Sequence, residues 1–117
     1  MVKILFICHG NICRSPMAEF VMKKLTEQAG VGNEYKIESA ATSTEEIGNP
    51  VYPPARRKLQ EHGIACDGKT ARQVRRADYD KYDLIIGMDE EIRQKATEKF
   101  RGINEAYESI KRQRGIA

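Results

Sequence analysis

A cysteine and an arginine separated by five residues, in the stretch Cys8-His9-Gly10-Asn11-Ile12-Cys13-Arg14-Ser15-Pro16, form the pair with the clearest chemical use. A thiolate is a strong nucleophile. A planar guanidinium holds two oxygens of a phosphoryl group at once and follows their charge into a transition state, as an ammonium does not. Between them, Gly10 lets the backbone approach an anion without a side chain in the way, and Asn11 tolerates left-handed geometry while bracing the loop through its amide. Ser15 can donate to the thiolate and help its departure. Taken singly, each has a plainer use: a cysteine at a strand end is commonly a small buried hydrophobe, and an arginine at a helix start is commonly solvated. Together they nominate Cys8 and Arg14 as catalytic groups, and His9, Gly10, Asn11, Ile12, Cys13, Arg14 and Ser15 as a phosphate-binding loop.

Such a loop needs a strand on one side and a helix on the other. The largely apolar run Val2 to Ile7 reads as a buried parallel strand, and Ser15-Pro16 reads as a helix start, with Ser15 at the cap and Pro16 in the first helical position. Free N–H groups at a helix start and in a curled loop converge on one point and favour an anion there. The same positive field favours the thiolate of Cys8. Ala18, Val21, Met22, Leu25 and Ala29 recur at helical spacing before Gly30, so this helix is predicted to pack that face on a sheet. Tyr35 to Ala40 alternates as a second strand ending at Ser39 to Ala41. In doubly wound sheets ligands sit at the carboxyl ends of strands, which brings Ser39 beside the Cys8 loop.

The polar, Gly- and Pro-containing segment Thr42 to Pro54 is predicted to be a surface loop. Its Glu45 and Glu46 either form a solvated acidic turn or bias a cleft towards basic peptides. Pro53 to Gly63 reads as a short basic helix, with His62 suited to its negative end. Cys66 lies in a turn and has no evident chemical partner. Thr70 to Asp83 is polar, with Tyr79 and Tyr82 as its packing residues. Leu84 to Met88 is a third buried strand, and Asp89 is expected to cap a helix carrying Ile92, Ala96 and Phe100. Asn104 is expected to cap a last helix bearing Tyr107 and Ile110.

Composition narrows the classes. At 117 residues the chain, 1–117, reads as a single α/β domain of three layers, a short parallel sheet between helices. Twenty Lys and Arg against seventeen Asp and Glu leave only +3, spread along helices without interleaved aromatics, which argues against nucleic acid as a partner. The lack of a membrane-length apolar run and the direct start into strand argue against a membrane and for a cytoplasmic protein. Three cysteines without paired spacing or a histidine cluster argue against a disulfide framework and a metal site. No cofactor is implied.

Phe6 to Glu19 resembles the phosphate-binding loop of the low-molecular-weight protein tyrosine phosphatases. The resemblance continues through Glu38-Ser39-Ala40-Ala41-Thr42, Gly48-Asn49-Pro50, His62-Gly63-Ile64, Ala71-Arg72-Gln73 and Tyr82-Asp83-Leu84-Ile85-Ile86-Gly87-Met88-Asp89. It implies a phosphatase-I-like fold and hydrolysis of phosphotyrosine or aryl phosphate monoesters through a cysteinyl-phosphate. It makes Cys8 the nucleophile, Arg14 the phosphate clamp, Asn11, Ser15 and Ser39 loop supports, and Cys13 a thiol able to form a protective disulfide with Cys8. Three departures stand out. His9 replaces a bulky neutral residue and either meets the substrate ring or faces solvent. Lys69 stands where the family has a network histidine. The family's Asp-Pro loop, whose aspartate protonates the leaving group, has no counterpart, since the sequence contains no Asp-Pro.

The general acid is therefore unassigned, and a segment between about Phe100 and Asn104, with the fourth strand, is expected to be missing. An unpaired third strand would then favour a homodimer. Two other readings are a phosphate- or phosphopeptide-binding module that has lost catalysis, and an arsenate reductase. The latter needs a relay of cysteines for which Cys66 is poorly placed.

Overall fold

The computed structural model describes residues 1–89. In chain order they form β1 (Val2–Cys8), α1 (Arg14–Gln28), a single 3-10 turn at Gly32–Glu34, β2 (Tyr35–Ala41), α2 (Pro53–Glu61), α3 (Arg76–Lys81) and β3 (Leu84–Gly87). The described strands make one parallel sheet in the order β2-β1-β3, with Phe6 opposite both Ser39 and Ile86. The central strand is β1, so its carboxyl end, Cys8, opens between two neighbours.

Alternation along β1 sends Ile4 and Phe6 to one face and Leu5 and Ile7 to the other. Ile4 and Phe6 join Ile37 and Ile86 against Ala18 and Met22 of α1, whereas Leu5 and Ile7 join Ala40, Ile85 and Tyr82, with Val74 and Tyr79 packed alongside. The sheet is thus covered on both faces, as parallel sheets require. A third apolar cluster, Val51, Ala55, Leu59 and Cys66, lies beneath α2 and is closed by Cys13, Met17 and Phe20 from the loop and α1.

The third strand and the two packing tyrosines, Tyr79 and Tyr82, lie where the sequence placed them, and Met88 extends the pairing through an N–H bond to Ile7 O at 2.8 Å. The helix predicted over Pro53 to Gly63 ends at Glu61. His62 is its C-cap, and Gly63 adopts the left-handed φ of 71° that turns the chain away.

Three expectations are corrected. First, α1 starts at Arg14 with Cys13 as N-cap. Ser15 is inside the first turn because its hydroxyl is drawn inward to Cys8 and Asn11, and Pro16 is tolerated there because first-turn residues have no intrahelical N–H acceptor. Second, the inward stripe of α1 runs through Ser15, Glu19, Met22 and Thr26 at helical spacing, and Val21 and Leu25 are 39% and 52% exposed. Three of these four residues are polar, so apolar periodicity caught Met22 and missed the rest of the stripe. Third, α3 is a helix within the segment read only as polar. It is held by Asp78, whose buried carboxylate accepts the N–H of the N-cap residue Arg75 at 2.7 Å and pairs with Arg72 at 3.0 Å. The helices expected after Asp89 and from Asn104 lie outside the described residues.

Candidate active site

Cys8 is buried at the end of β1, and the chain then curls through His9 to Cys13 into α1. Asn11 carries the curl at φ 57°, the left-handed value for which asparagine is suited. Its backbone N–H donates to Cys8 Sγ at 3.3 Å, and Ser15 Oγ lies 3.0 Å from the same sulfur.

Behind the sulfur runs a buried polar chain whose direction is fixed at both ends. Asn11 Oδ1 accepts the N–H of Arg72 at 3.2 Å, so Nδ2 is the donor side of the amide. Its two hydrogens go to Ser15 Oγ at 2.8 Å and Ser39 Oγ at 2.9 Å. Ser39 donates in turn to Glu19 Oε1 at 2.5 Å, since an ionised carboxylate only accepts. Glu19 is compensated by Lys23 Nζ at 2.7 Å and Lys69 Nζ at 3.2 Å, and Lys69 also donates to the Ser39 carbonyl at 3.1 Å. With Ser15 accepting from Asn11, its own proton is directed to Cys8. Two donors then converge on the sulfur, which is the arrangement that suits a thiolate.

Arg14, at the first helical position, extends a guanidinium whose side chain is 56% exposed and ion-paired with Asp89 beyond the end of β3. Asp89 also accepts the His9 N–H at 2.9 Å. That amide is therefore committed to the loop's own support. The His9 ring lies at the rim, 3.1 Å from Glu45, and is mostly exposed. Gly10 faces the Glu46 side chain, with a Cβ there 3.4 Å from Cγ. Ile12 O accepts from Tyr52 N at 2.7 Å, Cys8 O from Thr42 N at 3.1 Å, and His9 O from Ser43 Oγ at 2.9 Å, so the long loop after β2 straps the cradle from outside.

The three described cysteines are free thiols. Cys13 leans into the cluster beneath α2, and burial pushes the Cys66 thiol up, with Arg56 opposing, which suits a protonated packing residue. Among the described residues no group of His, Cys, Asp or Glu could hold a metal ion.

Cys8, Asn11, Ser15 and Ser39, proposed from sequence, are joined by hydrogen bonds, whereas the Arg14 guanidinium is paired with Asp89. Lys69, first met as a departure, is a member of the buried chain. Glu19 and the Arg72 amide were not foreseen. The available signal for Glu19 was its position four residues after Ser15, on the same helix face. Asp89, read as a helix cap, reaches back to Arg14 and His9.

The description "low molecular weight phosphotyrosine protein phosphatase" belongs to the family model that matches residues 3–112. YfkJ of Bacillus subtilis, a low molecular weight protein-tyrosine-phosphatase, is 44% identical over 91 residues, which is 78% of this chain and 58% of that protein. The low molecular weight phosphotyrosine protein phosphatase of Gallus gallus is 48% identical over 87 residues, 74% of this chain and 54% of that one. The chain thus spans somewhat over half the length of these curated relatives. Among solved structures, YfkJ superposes with a TM-score of 0.78 at 38% identity, over 91% of this chain and 62% of its own. A protein tyrosine phosphatase from Entamoeba histolytica with Hepes in its active site reaches 0.80 at 30% identity, over 89% and 67%. The family model spans nearly the whole chain and the relatives match it in sequence and in overall structure, so the chain belongs to the low molecular weight phosphotyrosine protein phosphatase family.

Proposed function

We propose that this chain hydrolyses aryl phosphate monoesters, phosphotyrosine among them, through a cysteinyl-phosphate on Cys8. The observation that carries the reading is the pair of donors on Cys8 Sγ, the Asn11 N–H and the Ser15 hydroxyl, the latter oriented by the Asn11 amide, which presents a supported nucleophile inside a loop that ends on Arg14. In the first step the sulfur attacks phosphorus, the S–P bond forms, and the P–O bond to the aryl group breaks, its electrons leaving on the aryloxide. Arg14 turns from Asp89 to the equatorial oxygens, and the N–H groups opening α1 share their charge. Water then attacks phosphorus and gives up a proton to solvent, the S–P bond breaks to release inorganic phosphate, and the Ser15 hydroxyl steadies the departing thiolate.

The sequence holds no Asp-Pro, so the proton for a basic leaving group has no assigned donor. Loss of a general acid costs about 10² to 10⁴ in rate, most for phenols with pKa near 10. The test is hydrolysis of para-nitrophenyl phosphate beside a phosphotyrosine peptide, in reductant, with Cys8→Ser as control. The expected result is turnover of the activated ester, little on the peptide, and none with Cys8→Ser. Phosphate binding without turnover of either would instead favour a binding module. A thiol nucleophile also places the activity in a reducing compartment, for which the cytoplasm is the natural choice. Among the described residues no helix is long and apolar enough to cross a membrane.

A further inference from the structure

In an in-line displacement the leaving oxygen departs opposite the attacking atom. Cys8 Sγ lies on the buried floor of the loop, so the aryl oxygen leaves outward, past the rim. The described side chains around that rim with a proton to hand on are His9, Glu45, Glu46, Asp89 and Tyr52. Asp89 is an acceptor twice over, for Arg14 and for the His9 N–H. Glu46 accepts from the Asn49 amide at 2.6 Å and packs on Gly10. Tyr52 carries a phenol, which is no stronger an acid than the phenol it would have to protonate. Of these groups only the imidazole of His9 gains and loses a proton readily near neutral pH, and it lies 3.1 Å from Glu45. We propose that His9 is the general acid of this chain, passing a proton from its ring to the leaving aryl oxygen, with Glu45 as its positioning residue. This rests on Cys8 being the nucleophile of the proposed reaction.

The backbone fixes where the ring can go. His9 N–H donates to Asp89 at 2.9 Å, and His9 O accepts both the N–H and the hydroxyl of Ser43, at 3.0 and 2.9 Å. The side chain is what is left to move, and it is 60% exposed on the residue next to the nucleophile. Ser43 serves both partners, since the same hydroxyl oxygen accepts the Glu45 N–H at 3.4 Å. The strap after β2 therefore sets Glu45 opposite His9. An imidazolium has a hydrogen on each nitrogen, so with Nε2 turned to Glu45 the Nδ1 hydrogen remains to be given. As the S–P bond forms and the P–O bond breaks, that proton moves to the aryl oxygen. The product leaves as a neutral phenol and the imidazole is left neutral. It regains a proton from solvent, to which the attacking water of the second step has released one. Because the ring is open to water it is a weaker device than an enclosed acid, and unactivated esters remain the slower substrates.

Among the described residues, the titratable and charged groups around His9 are Glu45 on the strap, Glu46 across Gly10, Asp89 beyond β3, Arg14 at the start of α1 and the Cys8 thiol. The variants below leave Cys8, Arg14 and Asp89 in place. A ratio of two esters measured on the same protein cancels the titration of those groups and of the phosphate itself.

The test is kcat/KM for phenyl phosphate divided by kcat/KM for para-nitrophenyl phosphate, on the full chain in reductant from about pH 5.5 to about pH 8. This quantity reports the step in which the aryl group leaves, and the nitrophenolate leaves without a proton. In the parent the ratio is expected to fall as pH rises through that range, because imidazoles lose their proton there. His9→Gln is expected to lower the ratio about tenfold near pH 6 and to flatten its pH dependence, and Glu45→Gln to lower it about threefold. Glu45→Gln lies outside the loop and serves as the second probe if His9→Gln folds poorly. A ratio in His9→Gln equal to the parent's, even where both esters have slowed together, overturns the proposal and leaves the phosphatase reading standing. So does a parent ratio that stays level with pH. Failure of the parent to hydrolyse even para-nitrophenyl phosphate refutes that reading and this proposal with it.

Discussion

Asn11 has the most connections of any side chain near the sulfur. It combines a left-handed φ, a backbone donor to Cys8, and three side-chain bonds to Arg72, Ser15 and Ser39. Replacing it with alanine imposes a side chain disfavoured at that φ and leaves two buried hydroxyls short of a donor. Asn11→Ala is expected to lower kcat for para-nitrophenyl phosphate by about 10- to 100-fold, equivalent to about 1.4 to 2.8 kcal/mol, in stopped assays. Asn11→Gly relieves the backbone but not the network, so it is expected to recover only a small part. A glycine variant as active as the parent would show that the loop needs the φ and not the amide.

Among these residues, Cys8, Asn11, Arg14 and Ser15 were legible through their combination and spacing across a strand-to-helix turn, and Ser39 through its place near the end of a neighbouring strand and the family resemblance. Glu19 was not, because a glutamate in an amphipathic helix is ordinarily solvated, and only the tertiary neighbours Ser39 and Lys69 make it a buried acceptor. Asp89 looked like a cap because it precedes two further acids in the sequence, and nothing local says that β3 ends beside Arg14.

The elements were read well where one face is apolar and poorly where a buried charge replaces that face. The strands β1, β2 and β3 announce themselves by short runs rich in Ile, Leu and Val or by alternation, whereas α3 is built on Asp78. Burial alone pushes the Asp78 carboxyl up. The hydrogen bonds from Arg72 and the Arg75 N–H, with both guanidinium charges, outweigh it and hold the group below its ordinary value. A carboxyl lowered on folding stabilises the native state above its unfolded value of about 3.9, and that stabilisation fades as pH falls below it. Asp78→Asn is therefore expected to cost about 1 to 3 kcal/mol in urea unfolding near pH 7, with the gap to the parent narrowing near pH 3. A gap that widens in acid would contradict the assignment. Because Arg72 also offers its backbone N–H to Asn11, the same variant is expected to lower activity modestly.

The chain as an assembly depends on β1, which lies between β2 and β3 and carries both the core and the nucleophile. Leu5 and Ile7 are almost fully buried beneath the loop. Leu5→Ala is expected to cost about 2 to 5 kcal/mol by thermal or urea unfolding, a large share of the stability of so small a domain. Among the described residues β3 is an outer strand of the sheet, and outer strands invite pairing with another copy. We propose that β3 pairs between two copies. Light scattering over a dilution series is expected to show a concentration-dependent dimer, and a strict monomer at the highest concentration would contradict this.

The most direct test of the account is rapid acid quench of the protein during turnover of para-nitrophenyl phosphate, followed by peptide mass spectrometry. The account predicts one added phosphoryl group on the Cys8 peptide, absent from Cys8→Ser, which should also lose turnover. Turnover that persists in Cys8→Ser, or a phosphoryl group found on another residue, would contradict it.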